Sequence, residues 1–152
     1  MKLCTIFSVV IAVVILSGCN RGANKDGEKS FVIGASMLSL QSEFVVNVKD
    51  AMEARAKEKN IALIVNDAQR TADKQVQQIE TFISQKVDAI ILNPCEVEAS
   101  SPAIEKAKAA GIPIINVNSE TAAAPDGFVG SRDEEAGEIA MEQIAKLLNG
   151  KG

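Results

Sequence analysis

After residue 30 the chain alternates short apolar runs with longer stretches in which apolar residues recur every three or four positions. Residues 31–36 form the first apolar run. Residues 44–60 then place Val45, Val48, Met52 and Ala56 on one helical face. Residues 61–65 are again apolar and β-branched, ending at Asn66-Asp67. Residues 73–85 carry Val76, Ile79 and Ile83 at helical spacing. The third cycle has the clearest punctuation. Residues 89–92 read as a buried strand that stops at Asn93-Pro94. Ser101-Pro102 suits an N-cap and first helical position, the helix running to Ala110 with Gly111 as a left-handed cap and Pro113 beyond. Residues 114–117 make a fourth strand and residues 128–130 a fifth. Ser131 and Glu134 have capping-box spacing and open a last helix with Ile139, Ile144, Leu147 and Leu148 inward.

Strands that are apolar throughout are covered on both faces, and strands joined by helices run parallel. The expected fold is therefore a doubly wound parallel α/β sheet, layered α/β/α. In such a sheet, ligands bind beyond the carboxyl ends of the strands. Here those ends carry Ser36 to Ser42 and Phe44, then Asp67 and Gln69, then Asn93. Asn118, Ser119 and Glu120 follow the fourth strand, and Ser131, Arg132 and Asp133 the fifth. Each residue also has a purely structural use. Ser42, Ser101 and Ser131 could cap helices, Asp67 could satisfy loop amides, and Asn93 could shape a turn before proline. Taken together, neutral amides, carboxylates and one aromatic suit a small neutral polyhydroxyl ligand, because an amide both donates and accepts as hydroxyl groups require. Phe44 is the candidate apolar face for a sugar ring.

The amino terminus differs in kind. Lys2 precedes residues 6–16, which are apolar except for Ser8, and eleven residues fall short of the ~20 needed to cross a bilayer as a helix. A basic start, a short apolar core and small residues describe an export signal. Leu16-Ser17-Gly18-Cys19 resembles a bacterial lipobox, which implies a signal at residues 1–18, a mature chain beginning at a lipidated Cys19 and attachment to a membrane by acyl chains. The alternative is an ordinary secretory signal followed by a chance cysteine. Residues 19–30 are polar, glycine-bearing and aperiodic, as expected of a flexible tether.

Composition narrows the chemistry. The chain has no histidine, which excludes Ser-His and Cys-His nucleophile pairs and histidine metal sites. Of the three cysteines, the lipobox resemblance implies that Cys4 leaves with the signal and Cys19 takes the lipid, so Cys95 is expected to have no partner and reads as a small filler. A net charge of −4 with no basic cluster argues against nucleic acid as a partner. The competing class, an enzyme on a nucleotide-binding α/β fold, would need a G-x-G-x-x-G turn or a P-loop, and neither follows the first strand.

Several segments together resemble the sugar-type periplasmic binding proteins, the ribose- and galactose-binding family that serves ABC transporters. They are Phe31-Val-Ile-Gly-Ala-Ser36, Glu43-Phe44, Lys49-Asp50, Asp88-Ala-Ile-Ile-Leu-Asn-Pro94, Ala109-Ala-Gly-Ile-Pro-Ile-Ile-Asn-Val-Asn118 and Val129-Gly-Ser131. The resemblance implies an amino-terminal sugar-binding lobe at residues 31–133 and, at residues 134–152, the first helix of a second lobe that this chain leaves truncated. It implies a protein without cofactor or catalysis that holds a small sugar between two lobes, at the periplasm or cell-envelope surface. Its partner would be an ABC permease in the membrane, or, in the alternative role, a chemoreceptor or sensor kinase. By position, Ser42 and Phe44 stand in the first ligand-contacting loop, Asn93 at a polar contact, and Asn118 where the family grips sugar hydroxyls. Ser119 and Asp133 complete the expected set. Two departures bear on which sugar is bound: Val45 replaces a second aromatic, and Ser119 stands where a large polar residue is common.

Overall fold

The computed structural model describes residues 30–149; the apolar run 6–16, the lipobox-like Cys19 and the polar segment up to residue 29 lie outside the described residues. In chain order the elements are β1 (Val32–Met37), α1 (Glu43–Glu58), β2 (Ala62–Asp67), α2 (Ala72–Gln85), β3 (Ala89–Leu92), α3 (Ser101–Ala109), β4 (Ile114–Val117), β5 (Gly127–Val129) and α4 (Asp133–Leu147). All strand pairs are parallel, in the order β2-β1-β3-β4-β5. Helices cover both faces, as the apolar runs require. β2 runs two residues beyond its apolar stretch, because Asn66 and Asp67 continue the ladder opposite Ser36 and Met37.

Period-2 alternation sorts side chains between two cores. Val32, Ile64, Ile90, Leu92 and Ile114 face α2 and α3, where they meet Ile79, Phe82, Ala103, Ile104 and Ala107. Ala35, Met37, Leu63, Val65 and Ile91 face α1, where Val45 is buried and Val48 and Met52 pack beside it. The first core needs Gly34. A Cβ at that position would stand 2.6 Å from the Phe82 ring, so the fully buried ring occupies the space that any side chain on this residue of β1 would take.

The amino edge of the sheet is tied by two aspartates in equivalent places. Asp88, just before β3, accepts the Val32 N–H (2.9 Å), and Asp126, just before β5, accepts the Ile114 N–H (2.9 Å). Each satisfies the first donor of a neighbouring strand, which would otherwise lie unpaired away from water, half-buried at Val32 and fully buried at Ile114.

Three expectations are corrected. Ser101 is the first residue of α3 rather than its cap, Pro102 the second, and the Ser101 hydroxyl turns back to the Val97 carbonyl (3.0 Å). Gly111 does take the left-handed conformation, at φ 71°. The larger correction concerns α4. Ile139, Ile144, Leu147 and Leu148 do not point inward, and no residue of α4 is buried; Leu147 is 78% exposed. The apolar spacing reports that this helix has an oily side, and the described residues put nothing against it. Its start also lacks the capping box, since Ser131 donates to the Asp133 carboxylate instead and Arg132 stands at the N-cap.

Replacing Gly34 by alanine should destabilise the chain by about 1–3 kcal/mol, the usual range for overpacking a filled core. Urea denaturation followed by circular dichroism should then show the midpoint falling by roughly 1 M. An unchanged midpoint would mean that Phe82 has room to retreat.

Candidate functional site

The strand order places a topological switch point between β1 and β3, whose following chains leave in opposite directions. The crevice there is filled by polar side chains from below. Asn93, the first residue after β3, is 1% exposed; its Oδ1 accepts the Leu38 N–H (3.3 Å) and its Nδ2 donates to the Val117 carbonyl (3.0 Å). Gln75 of α2 is fully buried, donates to the Asn93 carbonyl (2.7 Å), and accepts from the Cys95 N–H (2.9 Å) and the Ser100 hydroxyl (3.0 Å). One turn on, Gln78 accepts from the Ser36 hydroxyl (2.6 Å) and donates to the Asp67 carbonyl (2.9 Å). Asp67 in turn accepts from Leu40 N–H (3.3 Å) and Gln69 N–H (2.8 Å), which is the structural use foreseen for it. Gln69 and Arg70 then follow with φ of 54° and 62°.

Beside this plug, between the ends of β4 and β5 and the start of α4, lies a cavity of about 690 Å³, within the ~300–1,000 Å³ usual for small-molecule sites. Asn118, Ser119 and Glu120 line it after β4, Phe128 on β5, and Arg132, Asp133, Glu134, Glu135 and Glu138 toward α4. Val97 closes the β3 side. Its carbonyl accepts from Ala122 N–H (3.0 Å) and the Ser101 hydroxyl (3.0 Å), which fastens this wall to the β4–β5 loop. The loop is further held by Asn116, which donates to the Thr121 hydroxyl (2.8 Å), itself donating to the Ala123 carbonyl (2.8 Å).

Asn118 has the most constrained backbone in the cavity wall. Its φ is 73°, and Ser119 N–H donates back to the Val117 carbonyl (2.9 Å), closing a γ-turn of the rarer positive-φ kind. Asparagine tolerates this conformation better than most residues, yet the turn costs on the order of 1–3 kcal/mol. Asn118 N–H also donates to the Val129 carbonyl (2.9 Å), so the turn is anchored to β5. Strain of this kind clusters at ligand-holding positions.

The structure thus brings Asn118, Ser119 and Asp133 to one cavity and sets Ser42 and Phe44 apart, at the β1 end of the same edge. Ser42 is the N-cap residue of α1 without a side-chain cap bond, and Phe44 is 57% exposed. Asn93 lies beneath both regions with its amide engaged internally. Phe128 supplies the aromatic wall of the cavity, a residue the sequence marks only as part of a short strand.

The chemistry available is recognition. Amide, hydroxyl and guanidinium groups donate, amide and carboxylate oxygens accept, and Phe128, 38% exposed, offers an apolar surface. Arg132 is paired with Glu135 (2.9 Å), so the other carboxylates set the charge of the cavity. Burial and the nearby Glu96 and Asp67 push the Cys95 thiol up to about 11, leaving it protonated and weakly nucleophilic at neutral pH. Among the described residues, no group of three or more Cys, Asp or Glu side chains is placed to hold a metal ion.

Comparison with known proteins agrees with this architecture. A family model described as the periplasmic binding protein domain matches residues 33–152. The ribose import binding protein RbsB of Bacillus subtilis is 32% identical over 95% of this chain and 50% of its own length. The xylitol-binding protein of Mycolicibacterium smegmatis is 35% identical over 90% of this chain and 39% of its own. An ABC transporter solute binding protein from Bacillus halodurans, solved with bound myo-inositol, superposes with a TM-score of 0.75 at 38% identity, covering 82% of this chain and 44% of that one. The chain spans half the length or less of these relatives. The match takes in all of the sheet but its first residue, together with the cavity at its carboxyl edge, and on that ground the chain belongs to the periplasmic binding protein domain family.

Proposed function

We propose that this chain is the sugar- or polyol-binding lobe of an exported, lipid-anchored solute receptor for an ABC importer. The observation that carries the reading is the cavity beside Asn118. A strained, doubly anchored turn presents an amide to about 690 Å³ of space bounded by hydroxyl, carboxylate and aromatic groups. Asn118 and Ser119 meet ligand hydroxyls with both donors and acceptors, Asp133 and Glu120 accept from further hydroxyls, and Phe128 lies against a ring or chain face. Ser42 and Phe44 complete the contacts from the β1 side of the edge. The relatives' names, which specify ribose, xylitol and bound myo-inositol, fit that chemistry. Binding is non-covalent, and the protein hands its ligand to a membrane permease.

The domain boundaries belong to the same proposal: residues 31–133 form the binding lobe and α4 opens a second unit. Cys19 carries the lipid, and residues 19–30 tether the lobe to the membrane.

One lobe makes only part of the contacts. At about 1 kcal/mol net per hydrogen bond and tenfold per ~1.4 kcal/mol, the chain should bind free polyols in the millimolar range. Titration with myo-inositol, ribose and xylitol, read on backbone amide resonances, should perturb Asn118, Ser119 and Phe128. Asn118→Gly keeps the positive-φ turn at little cost and removes the amide, so it should abolish these perturbations without lowering stability. Asn118→Ala should lose both binding and roughly 1 kcal/mol of stability, because alanine strains the turn. Perturbations that survive in Asn118→Gly would take Asn118 out of the site.

Lipid attachment has a separate test. Expression of the chain with Cys19→Ser should move the protein from the membrane fraction to the soluble one, and continued sedimentation with membranes would refute the anchor.

A further inference from the structure

We infer that Asn93 is a positioning residue for Asn118, held in place for that task by Gln75. The inference rests on the sugar-binding reading of the cavity. The strain at Asn118 persists only if its surroundings over-determine it. The Val117 carbonyl is the acceptor that closes the turn, and it receives two donors: Ser119 N–H at 2.9 Å and Asn93 Nδ2 at 3.0 Å. The second donor comes from outside the turn and fixes the direction in which that carbonyl points, and with it the peptide that leads into Asn118.

Asn93 is itself bound on every side. Its N–H donates to the Ser36 carbonyl (2.9 Å), its Oδ1 accepts from Leu38 N–H, and its own carbonyl accepts from Gln75 Nε2 (2.7 Å). The Gln75 amide has one workable orientation, because its oxygen faces two donors, Cys95 N–H and the Ser100 hydroxyl, and its nitrogen faces the Asn93 carbonyl. Both side chains are buried, so exchange with water bonds is costly. The Leu38 bond matters as well. It begins the loop that leads to Ser42 and Phe44, so one amide spans the switch point and sets both sides of the edge against each other. An Asn in this place acts beneath the ligand, through Asn118, rather than on it.

Asn93→Asp in the full chain tests this. Burial favours the protonated carboxyl, so the variant is read on both sides of its titration: ionised at alkaline pH it still accepts from Leu38 N–H but has no proton to give Val117, whereas protonated at low pH it donates there again. In the ionised form the amide resonances of Asn118 and Ser119 should shift while those of Leu38 and Leu40 hold, and the myo-inositol response at Asn118 should weaken about fivefold, the worth of one net hydrogen bond. Gln75→Met, which keeps the volume and removes the bonds, should shift Asn93 and Asn118 together. Changes confined to residues 93–101, with Asn118 and Ser119 unmoved, would overturn the inference. If both variants fail to fold, the unaltered chain decides: saturating myo-inositol, which reaches Asn118 and not Asn93, should slow exchange of the Asn93 side-chain amide protons, and unchanged exchange would overturn it. An unaltered chain that ignores all three polyols would sink the ligand reading, while the resonance shifts would still judge the positioning.

Discussion

A parallel sheet sends every chain exit to one edge, and burying that edge obliges the protein to find partners for the backbone groups that leave the ladder. In this chain the obligation falls hardest at the switch point, where the segments after β1 and β3 part company. Gln75, Gln78, Asn93, Ser100 and Asp67 meet it with side chains instead of solvent. Everything at the carboxyl edge depends on that plug. With it in place, the loops after β1, β2 and β3 are tied together, the turn after β4 can hold a strained residue, and a cavity opens on the β4–β5 side. The same side chains explain why so polar a set, at 0–1% exposure for Gln75, Asn93 and Ser100, is tolerated next to an oily core.

The site is therefore asymmetric. The β1–β3 half of the edge is closed and internally satisfied, whereas the β4–β5 half is open and rich in carboxylates. Glu120, Asp133, Glu134 and Glu138 face the space with Arg132 already occupied by Glu135. A neutral polyhydroxyl compound suits such a wall, and an anionic one would meet repulsion across it.

Most of the fold is legible in the sequence because burial on two faces writes continuous apolar runs. Residues 89–92 and 114–117 match β3 and β4 to the residue, and Gly111 marks the end of α3 as a left-handed cap. Asp67 as a loop anchor was also within reach, since a carboxylate after a strand has few better uses. The site is less legible. Asn118 and Ser119 stand out by place, yet the positive φ that constrains Asn118 has no signature beyond the residue type. Asn93 looks like a ligand group by position, and only the packing shows that both ends of its amide face protein. Phe128 reads as strand because a three-residue strand leaves too little pattern to tell inside from outside. For α4 the spacing of Ile139, Ile144, Leu147 and Leu148 reveals an apolar side, but spacing cannot say what covers it.

That helix mixes charge with exposed apolar side chains. Its first turns hold Asp133, Glu134, Glu135 and Glu138 at the cavity, and its last turns hold Ile144, Leu147 and Leu148, each at least half exposed. Glu142 and Lys146 pair within the same last turns, so charge runs the length of the helix and its apolar side chains stand among ion pairs rather than apart from them.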